Sequence, residues 1–165
     1  MAAIAIRHAH VEDVALIHSF IRELAEYEKL LVEVVGDEAA IRASLFGARP
    51  AAEVLIGELD GAPVGFALYF QSFSTFLAKP GLYLEDLFVR PSARGQGVGA
   101  ALMAACARIA VDRNYGRFEW SVLDWNEPAL GFYRELGARQ MVEWKVHRLV
   151  GPPLHALAAR APVAR

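Results

Sequence analysis

The stretch "VRPSARGQGVGAAL" (residues 89–102) sets three glycines, Gly95, Gly97 and Gly99, at alternate positions between a basic, proline-containing turn and an alanine-rich apolar run. The residues before it, "GLYLEDLFV" (81–89), read as a strand, and Val98, Leu102, Ala105 and Ile109 after it form one apolar stripe, predicting a helix to about Asn114. A strand that enters a helix through a glycine turn aims several backbone N–H groups and the positive end of the helix dipole at one spot. An anion fits there, phosphate or pyrophosphate above all, and Arg94 adds a charged fork. The spacing excludes two common readings. A nucleotide triphosphatase loop needs Lys-Ser/Thr after its last glycine, where this chain has Ala100-Ala101. A dinucleotide fingerprint needs Gly-x-Gly-x-x-Gly, whereas here the third glycine comes one position early. The loop alone leaves a plainer alternative open, in which the glycines make a tight turn and bring the helix close to the sheet.

Working outward, residues 3–7 alternate as a strand, and Asp13 to Tyr27 carry Val14, Ile17, Ile21 and Leu24 at helical spacing. A second helix is predicted over Glu38 to Phe46, stopped by Gly47 and Pro50. "AEVLIGELDGAPVGFALYFQSF" (52–73) reads as two antiparallel strands around Asp60-Gly61. Arg117 to Leu123 is predicted as a strand, Asn126 to Gly137 as a capped helix, and Gln140 to Leu149 as a last strand. The pattern is one α/β domain with antiparallel strands early and a strand-loop-helix unit at its centre.

Composition narrows the partners. The 165 residues carry a formal charge of −2, with 22% charged side chains and no basic block long enough to mark a nucleic-acid or polybasic membrane patch. One cysteine excludes an internal disulfide, and the start "MAAIAIRHAH" lacks the flank and core of a signal peptide, so the expected setting is cytoplasmic. No run reaches the ~20 apolar residues of a membrane span. The five histidines lack metal-ligand spacing and no metal is expected, while Cys106 in mid-helix reads as a buried small hydrophobe.

"RGQGVG" (94–99), placed after "YLEDLFV" (83–89) and before "WNEPALGFYRELGA" (125–138), resembles the GNAT superfamily of N-acetyltransferases. Together with "LAEYEK", these motifs look like the spermidine/spermine, or diamine, acetyltransferases and their thialysine-acetylating relatives. The resemblance implies a GNAT fold: a mixed, mostly antiparallel sheet with a central strand-loop-helix acetyl-CoA site and flanking helices. It implies a single domain over residues 1–150, and a tail, 151–165, near the partner of a homodimer. The activity implied is transfer of acetyl from acetyl-CoA to a primary amine of a small cationic acceptor, diamine-like or polyamine-like, by direct attack in a ternary complex. Alternatives are thialysine, another amino acid or a protein amine as acceptor, or a coenzyme A-binding sensor without turnover.

The chemistry needs a held thioester, a neutral amine, a stabilised oxyanion and a proton for the thiolate. By resemblance the cofactor falls to Arg94, Gly95, Gln96, Gly97, Val98, Gly99 and Ala100, to the backbone of Leu87, Phe88 and Val89, and to Asn126, which also reads as an ordinary helix cap. Tyr133 is the implied acid for the thiolate, its alternative being a core aromatic beside Phe132. Glu85 is the implied acceptor of the amine proton. On a regular strand Tyr83, Glu85, Leu87 and Val89 face one way and Leu84, Asp86 and Phe88 the other, so only one of the two carboxylates is expected to face the acceptor. The plain alternative for Glu85 is a salt-bridged edge carboxylate. Tyr27, Glu28, Glu119 and Trp120 are the further candidates for holding the acceptor.

Overall fold

A computed structural model describes residues 2–162; the last three residues of the expected tail lie outside the described residues. The chain divides into two compact units, Met1–Ser121 and Val122–Arg165.

The first unit is a five-stranded sheet with helices on both faces. Its strands are β1 (Ile4–His8), β2 (Glu53–Leu59), β3 (Ala62–Ser74), β4 (Lys79–Val89) and β5 (Phe118–Trp120), in the spatial order β1-β2-β3-β4-β5. The first three ladders are antiparallel and the last, β4 with β5, is parallel. The mixed, mostly antiparallel sheet is the expected one. Between β1 and β2 lie α1 (Val14–Tyr27) and α2 (Glu38–Phe46). The second begins where the Asp37 side chain accepts from Ala40 N–H and stops at Gly47, the boundaries its sequence predicts. Asp60 and Gly61 both adopt positive φ, which closes the tight β2–β3 hairpin.

Alternation along the strands divides the core. Ile17 and Phe20 of α1 pack on Val54, Ile56, Phe66 and Phe88, with Phe20 and Phe66 stacked at 5.5 Å. On the other face lies α3 (Val98–Asp112), whose Val98 and Leu102 close over Gly57. A Cβ at Gly57 would fall 2.8 Å from Val98 Cγ1, so the missing side chain sets the helix-to-sheet distance. Ion pairs tie the periphery: Arg7 bridges Asp13 and Glu58, and Arg90 binds Glu23 through Nε and a terminal nitrogen at 3.0 and 2.8 Å.

The second unit holds α4 (Glu127–Glu135) and α5 (Gly151–Ala158). The strand expected over Gln140–Leu149 is absent. These residues have no ladder partner among the described residues, and Val142, Trp144 and Val146 are exposed. Apolar alternation without a neighbouring edge does not make a strand.

Candidate active site

The site in the first unit is built on β4 and the loop after it. Pairing of β4 with β5 covers only Leu82, Tyr83 and Leu84, against Phe118, Glu119 and Trp120, while β4 runs on to Val89. Along Asp86–Val89, β4 is paired with β3, and Glu85–Val89 have no β5 partner among the described residues. An edge of this kind offers backbone N–H and C=O groups to an extended ligand. The side chains of Leu87 and Val89 are half-buried and that of Phe88 is buried, so what these three residues present is their backbone.

Beyond Val89 the chain turns through Pro91–Ala93 into the glycine loop. Gly95 and Gly97 have φ of +74° and +91°, a region that only glycine enters freely. A Cβ at Gly95 would meet nothing within 4 Å, and at Gly97 only Ile4 Cδ1 at 3.3 Å, so the main chain there is open to close approach. Ala101 N–H bonds Gly97 C=O and closes the first turn of α3, which leaves the N–H groups of Val98, Gly99 and Ala100 without an intrahelical acceptor. Gln96 bonds back to the Ser92 carbonyl and steadies the loop. These features fit the pyrophosphate of a coenzyme A.

The Arg94 fork takes a different course from the one its position suggests. Its Nε donates to the Val89 carbonyl at 2.8 Å, and its guanidinium carbon lies 4.7 Å from the Tyr27 ring centroid and 5.7 Å from that of Phe88. Arg94 thus joins the loop to the end of α1, where Tyr27 and Glu28 sit, and leaves main-chain donors as the groups the loop offers an anion.

The strand β4 departs from regular alternation. Leu68 pairs with Asp86 but Tyr69 pairs with Leu84, which makes Glu85 the extra residue of a β-bulge. Phe70 then pairs with Tyr83, so Tyr83 and Asp86 share the α1-side face with Phe70 and Leu68. The bulge turns Tyr83 onto the face that Asp86 shares with Phe88 by regular alternation, beside the exposed Glu85. Burial, then the charges of Glu85 and Glu28, push the Asp86 carboxyl up to about 6. Burial also raises Glu28. Glu85 on β4 and Glu28 at the end of α1 therefore each lie within electrostatic reach of Asp86. Sequence alternation parts Tyr83 from Asp86, and only the pairing register with β3 shows that the two share a face.

Parallel pairing sets Glu119 opposite Tyr83 on the same face, and Trp120 opposite Leu84 on the other, where its ring contacts Phe118 at 4.9 Å. Trp120 is thereby turned away from the face that carries the carboxylates. Glu119 binds Arg117 at 2.7 Å.

In the second unit, Asn126 caps α4 by accepting from Ala129 N–H at 3.4 Å, and Tyr133 lies two turns on, half-buried and in ring contact with Phe132 at 5.4 Å. Cys106 is buried and its thiol is pushed up to about 12, as suits a core residue. Among the described residues no three His, Cys, Asp or Glu side chains cluster as metal ligands, and no helix is long and apolar enough to cross a membrane.

Residues 9–138 match the model of the acetyltransferase (GNAT) family, whose co-substrate is acetyl-CoA. The chain is 39% identical to the thialysine N-epsilon-acetyltransferase of Sus scrofa over 171 residues, covering 97% of this chain and all of the relative. It is 32% identical to the L-ornithine N5-acetyltransferase of Arabidopsis thaliana, over 92% of this chain and 86% of that one. An integron cassette protein from the mobile metagenome of V. cholerae superposes with a TM-score of 0.78 at 29% identity, covering 94% of this chain and 97% of the other. With the family model matched over most of the chain and relatives alike along nearly its whole length, the chain belongs to the GNAT acetyltransferase family and is an N-acetyltransferase.

Proposed function

We propose that the protein transfers acetyl from acetyl-CoA to the terminal primary amine of a small cationic acceptor, by direct attack in a ternary complex. The observation that carries this reading is the carboxylate group of Asp86, Glu85 and Glu28 beside the open edge of β4. An alkylammonium, with a reference pKa near ~10, must be held and then deprotonated before it attacks. Asp86 and Glu28 hold the cation, and Glu85, the exposed member at the bulge, takes the proton directly or through a water. The loop from Arg94 to Ala100 holds the donor's phosphates, and the backbone of Leu87 to Val89 lines its extended arm. Tyr133 and Asn126 keep the roles their motif implies, a proton for the departing thiolate and a coenzyme A contact. The support for these two is the motif itself, "WNEPALGFYRELGA".

A second reading, an amino acid bearing a side-chain amine as acceptor, draws support from the thialysine and ornithine activities named for two relatives. A homodimer in the cytoplasm belongs to the same proposal; exposed Val146, Leu149, Leu154 and Leu157 in the second unit support the dimer, which light scattering tests. A panel of amines assayed for free thiol release tests the function. Turnover of diamines, polyamines or basic amino acids supports it, and coenzyme A binding without turnover of any primary amine overturns it.

A further inference from the structure

Helix α1 ends in a turn that few side chains adopt. Leu30 N–H bonds the Ala25 carbonyl at 2.7 Å and Lys29 N–H bonds that of Glu26 at 3.1 Å, a paired closure that usually has glycine where this chain has Lys29. Lys29 carries its full side chain at φ +61°. Such a conformation persists where the surrounding structure holds it, and it recurs at ligand clamps. Here it fixes the preceding residue, Glu28, which lies within electrostatic reach of Asp86.

Arg94 holds this helix end from outside. Its guanidinium carbon stands 4.7 Å from the ring centroid of Tyr27, the last residue of α1, and 5.7 Å from that of Phe88. Phe88 is buried and its ring lies 6.3 Å from that of Phe20, so this side of the stack is anchored in the core. A third contact orients the guanidinium: Nε donates to the Val89 carbonyl at 2.8 Å. Arg90 N–H bonds the Val64 carbonyl, and antiparallel pairs alternate, so the neighbouring Val89 carbonyl is directed away from β3 toward the open edge. One side chain thus spans from the open edge of β4 to the helix end that carries Tyr27 and Glu28.

We infer that Arg94 is a positioning residue for the amine acceptor: its side chain holds Tyr27, and with it Glu28, in place beside Asp86, and does not ligate the phosphates of coenzyme A. This rests on the acetyl-transfer reading above and narrows the phosphate role of the loop to its main chain. A guanidinium that moved to a pyrophosphate would lose two ring faces and a carbonyl, whereas the N–H groups of Val98, Gly99 and Ala100 have no intrahelical acceptor to lose.

The test separates the two substrates. Arg94→Gln, Arg94→Lys, Tyr27→Leu and Tyr27→Phe are compared with the wild type for acetyl-CoA affinity by calorimetry, and for kcat and KM with putrescine and L-ornithine as amine probes. Arg94→Gln should lower kcat/KM about fivefold or more through the amine KM, with acetyl-CoA affinity kept within about twofold. Arg94→Lys, which keeps the charge without the planar fork, should recover part of the loss. Tyr27→Leu should raise the amine KM at least as far, and Tyr27→Phe, which keeps the ring, should restore most of it. Adding Arg94→Gln to Tyr27→Leu should then cost little more, because the two changes remove one contact. Lost acetyl-CoA affinity in Arg94→Gln with an unchanged amine KM, or additive losses in the double variant, overturns the inference. If no amine is acetylated the function proposed above falls, and equilibrium binding of the two amines to the coenzyme A-loaded variants still decides this one.

Discussion

The glycine loop and the bulge of β4 flank the same five residues of open edge, yet they are built from different material. The loop's proposed anion site is main chain, two positive-φ glycines and the first N–H groups of α3, and even its arginine is turned toward Tyr27 and Phe88. The bulge works through side chains: one extra residue, Glu85, rotates the strand so that Tyr83 joins Asp86 on the face proposed for the acceptor. A main-chain site serves any donor with the same phosphates, and a side-chain site is free to vary with the acceptor. This division suits a family with one co-substrate and many amines.

The largest expected effect lies on the side-chain half. Glu85→Gln should lower kcat/KM for the amine by roughly 10²-fold or more near neutral pH, with acetyl-CoA binding kept. Tyr133→Phe should cost kcat to a similar degree; an unchanged rate would remove the phenol from the mechanism. Breaking the main-chain half calls for a backbone change. Gly97→Val puts a β-branched residue at φ +91° and 3.3 Å from Ile4 Cδ1, and should raise the KM for acetyl-CoA by about tenfold or more. Gly61→Ala, at φ +79° in the β2–β3 hairpin, strains the backbone comparably and serves as its control, losing stability with the acetyl-CoA KM kept. Equal acetyl-CoA KM values in the two variants would refute the anion role of the loop.

The smallest effect is structural. Arg90 holds the Glu23 carboxyl below its usual range, so this carboxyl stabilises the fold above that range, and the contribution is lost as pH falls through the lowered value. Because both partners are about a third exposed, Glu23→Gln should cost only about 1 kcal/mol at neutral pH, read by denaturant unfolding, and the difference should vanish in acid.

The main-chain half was the legible one. Glycine spacing, the Asp37 cap and the Gly47 stop act within a few residues, and a local pattern records them. The placing of Tyr83 beside Asp86 escaped because a bulge is a property of two strands, and nothing in "YLEDLFV" alone tells which residue of β4 goes unpaired. The direction of the Arg94 fork escaped for a related reason, since Tyr27 reaches it from a helix more than sixty residues away in sequence. The supposed strand at 140–149 shows the converse: alternation is local, and pairing is not.

The central proposal is that Asp86 is the cation-binding carboxylate of the acceptor site, on the face to which the bulge also turns Tyr83. With its carboxyl raised to about 6, Asp86 favours the fold when protonated, and that gain is lost as pH rises from the ordinary carboxylate range through 6. Only the ionised form attracts an ammonium. The decisive measurement is the KM for the amine from pH 5 to 8 in the wild type and in Asp86→Asn. The account predicts a wild-type KM that climbs as pH falls through about 6, and a variant KM about tenfold higher at pH 8 with that inflection gone. A variant that keeps both the wild-type KM and the inflection near pH 6 would contradict it.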